Sequence, residues 1–118
     1  MGENPNIVMP HDHEWIRNLL RLYHQGATKA ICQADLAAET GIPGRRVRQI
    51  IKDLIEQFGC PIGSLYARVG GYFWINTSGE TEVTCKKMTD HAISQLSRVA
   101  VLKKIALPDL LGQLKLEL

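Results

Sequence analysis

The chain has 118 residues, 45% of them hydrophobic and 22% charged, and a formal net charge of +2. This suits one domain with a core of its own, without room for a second, and disfavours non-specific coating of nucleic acid, so any basic surface has to be local. Cys32, Cys60 and Cys85 stand far apart with no C-x-x-C pair, which argues against a structural zinc site or a disulfide framework and for reduced thiols in a cytosol-like, cytoplasmic compartment.

No apolar run is long enough to span a membrane, and the N-terminus carries no secretory pattern. Asn6 stands where a myristoylation site needs Ser or Thr. Residues 1–12 read as a flexible arm, poor in periodic apolar content. Within His11-Asp12-His13, Asp12 fits a helix N-cap, and the two histidines lack the further ligands that a metal site needs. Trp15, Ile16, Leu19, Leu20, Leu22 and Tyr23 recur at helical spacing until Gly26, which predicts a first helix over residues 13–25 with a core role. His24 at its end suits the helix dipole. Residues 27–32, partly β-branched, predict a brief strand.

The next stretch organises the chain. Ala37, Gly41 four residues later, and then Val47 and Ile50 have the spacing of two short helices crossing through a tight turn. Ala37 permits close approach, Gly41 supplies the positive φ that ends a helix, and Pro43 fits the turn or the first turn of the next helix. On that second helix, residues 45–57, Val47, Ile50, Ile51, Leu54, Ile55 and Phe58 gather inward. Arg45, Arg48, Gln49, Lys52 and Glu56 gather opposite, and the acids Asp53 and Glu56 come only after the basic start. Such a face is either a solvated surface or a cationic helix end that enters a DNA major groove.

Gly59 then stops the helix, Pro61 suits an edge strand, and Gly70-Gly71 returns the chain into Tyr72-Phe73-Trp74-Ile75, a hairpin. Tyr72 and Trp74 point to one face, Phe73 and Ile75 to the other, and one pair must close over the helices. Arg68 sits near the tip, where one cation beside two glycines either solubilises the turn or meets a phosphate.

This order, with the run from Phe58-Gly59 through Pro61-Ile62 to Gly71-Tyr72, resembles the winged helix-turn-helix family, in particular biotin-repressor-like and related phage and bacterial domains. The resemblance covers residues 13–76. It implies duplex-DNA binding by helix 45–57 with the wing, residues 64–71, beside it; the catalytic domain of biotin repressors has no counterpart, since too little chain remains. Pro43-Gly44 departs from the Ser or Thr N-cap common in such motifs and leaves the helix start open by a residue or two.

Thr77-Ser78-Gly79-Glu80 fits a capping box. Val83, Met88, Ala92, Leu96, Val99, Leu102 and Ala106 then keep helical spacing up to Pro108, predicting one helix of about seven turns whose stripe overhangs the domain. The leucine-rich tail is a short helix, or a helix giving way to an alternating strand, and docks on its own core or on a partner. The simplest partner is a second copy, paired through residues 80–118.

The reading is an α+β, mainly α chain: a winged helix-turn-helix with an added long C-terminal helix. Arg45, Arg48, Gln49 and Lys52 would meet the major groove, and Arg46 and Arg68 the phosphates. The function is that of a dimeric transcriptional regulator or a phage-type replication or recombination accessory. The alternative is a protein-interaction adaptor using the long helix and tail. No enzyme, cofactor or metal signature is present.

Overall fold

The computed structural model describes residues 8–65 and 70–115. Helix α1 is His11–Tyr23, α2 is Gln33–Thr40, α3 is Gly44–Glu56, α4 is Ser78–Lys103 and α5 is Leu107–Gln113. Strands β1, Ile62–Leu65, and β2, Gly71–Trp74, form one antiparallel pair. The class is therefore mainly α with one small hairpin. The chain divides into two compact units, residues 1–84 and 85–118, with the boundary inside α4.

In the first unit α1 begins two residues before the predicted start. Its N-cap is Pro10, whose carbonyl accepts from Glu14 N–H at 3.0 Å, and Asp12 lies in the first turn rather than capping it. The buried face of α1 is narrow: His13, Ile16 and Leu20 point inward, and Leu19 is packed at the margin. Trp15, Leu22 and Tyr23, expected in the core, are exposed because they sit a step round the helix from that face.

Helix α2 ends as the spacing predicts. Gly41 caps it at φ +73°, and its N–H donates to Ala37 carbonyl at 2.8 Å. Thr40 is buried and closes the turn: its Oγ1 donates to Leu36 carbonyl at 2.7 Å and accepts from Ile42 N–H at 3.2 Å. Helix α3 then crosses α2 and α1, burying Val47, Ile50, Ile51 and Leu54, whereas Ile55, grouped inward by spacing, is exposed at the face's margin. With Ile31, Leu36, Ile42, Phe58, Cys60 and Ile62 these residues make one core.

Ile62 pairs with Trp74 and Gly63 with Phe73 across the hairpin. Tyr72 and Trp74 are the pair that closes over the helical core; Phe73, on the opposite face, is buried with its ring against Gly63. In place of the brief strand expected over residues 27–32 there is one turn of 3-10 helix, Ala27–Lys29, and a single bridge at Ile31. Ile31 and Tyr72 exchange N–H···O bonds of 2.9 and 2.8 Å, and Gly26 N–H donates to Trp74 carbonyl at 2.9 Å. The outer edge of β2 is thus satisfied at both ends while Gly26, at φ +84°, turns the chain away between them.

Thr77 caps α4 as the capping box predicts: Glu80 N–H donates to Thr77 Oγ1 at 3.2 Å. The helix runs 26 residues, the predicted length of about seven turns, but stops at Lys103 short of Pro108, so that Ala106 lies outside it. Lys104 takes φ +57°, Ile105 N–H reaches back to Ala100 carbonyl at 3.0 Å, and α5 begins at Leu107 with Pro108 in its first turn. An unbroken helix would drive the Pro108 ring into the carbonyl of Lys104, so the chain stops and restarts.

Candidate nucleic-acid interface

Helix α3 carries five of the six candidate side chains, and Arg45, Arg46, Arg48, Gln49 and Lys52 are all exposed. The hydrophobic face determines this. Burying Val47, Ile50, Ile51 and Leu54 rotates the opposite stripe outward, and that stripe is cationic over its first turns. The helix opens at Gly44 with Pro43 as N-cap, no side-chain cap and no acid in its first turn. Its first backbone N–H groups thus have no side-chain cap among the described residues, and the helix dipole adds to the charge of Arg45 and Arg46.

Two of the candidates are held by neighbours. Arg48 Nε donates to Gln33 Oε1 of α2 at 3.3 Å, and Gln49 Nε2 donates to Asp53 Oδ1 at 2.9 Å. Gly44 makes room for the first contact, since a Cβ there would lie 2.8 Å from Gln33 Nε2. Arg45, Arg46 and Lys52 make no ion pair with a described residue. Arg68 lies outside the described residues, as does the hairpin tip around it.

Beneath the exposed face lies a polar pair that spacing alone did not single out. His13 of α1 is buried, and its Nε2 is 2.8 Å from Asp53 Oδ2. The His13 ring meets Phe58 edge-on at 6.2 Å, and its Nδ1 is buried without a hydrogen-bond partner among the described residues. The Asp53 carboxyl is held below its ordinary range, first by the His13 hydrogen bond and then by the Gln49 hydrogen bond and the charge of Arg46, against an opposing effect of burial. The spacing Gln49, Asp53 marks an i, i+4 pair on one face. Nothing local marks His13, forty residues away. With His13 turned inward, the His11-Asp12-His13 triplet does not converge, and no group of three or more His, Cys, Asp or Glu among the described residues could hold a metal ion.

No helix among the described residues is long and apolar enough to cross a membrane. The arrangement of α2, turn, α3 and hairpin is consistent with a helix-turn-helix-like domain able to contact nucleic acid. No family model, curated protein or solved structure matches the chain.

Proposed function

We propose that this chain is a winged helix-turn-helix protein that binds duplex DNA, with α3 in the major groove and the hairpin as the wing beside it. The observation that carries the reading is the exposed α3 face. Three cations with no ion pair among the described residues, Arg45, Arg46 and Lys52, flank the anchored Arg48 and Gln49 on a helix whose start has no side-chain cap and no acid in its first turn. A face that served only solubility would need neither cations of one sign clustered on it nor an open helix N-terminus directed the same way. Arg45, Arg48, Gln49 and Lys52 are assigned to the groove, Arg46 and Arg68 to phosphates. The role is that of a regulator or of a replication or recombination accessory, without catalysis of its own.

Pairing of two copies through residues 80–118 goes with this reading. In the second unit Ser94, Ser97, Arg98, Val101 and Leu102 line an open groove of about 510 Å³, and Val101 and Leu102 are 75% and 83% exposed. The same surface favours the second reading, an adaptor that docks another protein there and leaves α3 in solvent.

Fluorescence anisotropy with random-sequence duplexes at several salt concentrations separates the two. A DNA binder loses affinity as salt rises, with a log–log slope of about −0.9 per phosphate neutralised, and Arg46→Ala lowers that slope by about one unit. Absence of duplex binding at about 50 mM salt would leave the adaptor.

A further inference from the structure

We infer that His13 and Asp53 are positioning residues for base reading: a chain of hydrogen bonds that runs outward from the buried His13 of α1 fixes the amide of the exposed Gln49 so that it presents an acceptor and a donor together to adenine. This rests on the DNA-binding reading above and adds a base and a mechanism to it.

The chain is deduced from chemistry at each link. His13 Nδ1 is buried and has no partner among the described residues, so a proton there would be an orphaned N–H, the rarest kind of buried polar group. The proton therefore sits on Nε2 and is donated to Asp53 Oδ2, 2.8 Å away. Asp53, as a carboxylate, only accepts, so its second oxygen, Oδ1, requires the NH2 end of Gln49, 2.9 Å away, and excludes the carbonyl end. One N–H of Gln49 is thereby engaged, and Oε1 and the other N–H remain for an outside partner. Adenine offers the matching pair in the major groove, an N6 amino donor and an N7 acceptor.

Asp53 makes the relay testable through a near-isosteric change. In Asp53→Asn, His13 still donates from Nε2, so the Asn carbonyl turns to His13 and its NH2 faces Gln49. The Gln49 amide then reverses to accept, and both of its N–H groups point outward as donors. Such an edge matches the N7 and O6 acceptors of guanine and no longer matches adenine.

The experiment is selection of duplexes from a randomised library by the full chain, wild type and variants, followed by titration of single-base changes. Wild type should prefer adenine at one position by about 5- to 150-fold, the range of a good bidentate pair. Gln49→Ala should make that position indifferent. Asp53→Asn should move the preference to guanine at the same position. An unchanged adenine preference in a folded Asp53→Asn overturns the relay and leaves DNA binding intact. Loss of all duplex binding by the wild type overturns both. Should Asp53→Asn fail to fold, the wild type still decides: in a 15N-labelled sample one Gln49 side-chain N–H should be shifted downfield and protected from exchange relative to the exposed Gln57. A Gln49 amide as exchangeable as that of Gln57 overturns the relay.

Discussion

Two glycines show how differently one missing Cβ can matter. At Gly41 nothing lies within 4 Å of an added Cβ, but φ is +73°, so the constraint is conformational alone. Gly41→Ala should cost about 1–2 kcal/mol, and Gly41→Val more, because β-branching narrows the accessible backbone further. At Gly63 the backbone is ordinary, but a Cβ would lie 2.4 Å from Phe73 Cζ. Gly63→Ala must displace a buried ring and should cost about 1–3 kcal/mol. Chemical denaturation of the two variants checks both, and a wild-type midpoint for Gly41→Val would contradict the turn geometry. On the α3 face, Arg48 Nε is held by a hydrogen bond to Gln33. If it reads a base edge, Arg48→Ala should weaken the preferred duplex by about 1–3 kcal/mol and random duplex less. Equal losses on both duplexes would make it a phosphate contact.

At the scale of elements, the start of α4 acts as a clamp on the hairpin's exit and the turn after α1. Glu80 Oε2 accepts from Ala27 N–H at 2.8 Å and Oε1 from Asn76 N–H at 2.7 Å, joining segments 53 residues apart. These bonds, Ala27's first, hold the Glu80 carboxyl below its ordinary value of 4.5. A carboxyl lowered in the native state adds stability that is complete above its unfolded value and is lost as pH falls through the native one. Asp53, lowered from 3.8, acts in the same sense. The melting temperature should therefore fall as the solution is acidified below about pH 4.5. Glu80→Gln should melt lower at neutral pH and show a shallower fall in the acid range. A thermal-shift series across pH gives both slopes, and parallel curves for variant and wild type would remove Glu80 from the acid response.

For the whole molecule, the second unit carries an exposed apolar surface. Met88, Val99, Val101, Leu102 and Leu114 are all exposed there, more apolar side chains than isolated surface positions explain. If two copies pair through this surface, each brings one α3, and the second half-site binds as an intramolecular event. The intact chain should then sediment as a dimer at micromolar concentration. Leu102→Glu, at a position 83% exposed and so harmless to the fold, should yield monomers with unchanged helical signal and much weaker duplex binding. A monomeric intact chain that still binds DNA would separate the groove of Ser94, Ser97 and Val101 from DNA recognition and assign it to another protein.

What the sequence determined by itself is local. The helix stop at Gly41, the capping box of Thr77 and Glu80, the return at Gly71 and the amphipathic split of α3 are all set by residues within a turn or two of each other, where dihedral preference and periodicity act directly. The cationic face was legible for the same reason, since burying one stripe exposes the other. Tertiary structure decided whatever depends on which surfaces meet. Spacing could not tell that Trp15 and Ile55 fall outside the core, because the width of a buried stripe is set by the neighbour it packs on. Nor could it tell that residues 27–32 spend their hydrogen bonds on one bridge and a 3-10 turn, since their partners are in β2. Least visible of all was the pairing of His13 with Asp53. Two residues forty apart share a hydrogen bond only because α1 lies across α3, and the buried imidazole Nε2 of His13 finds its partner on the facing helix.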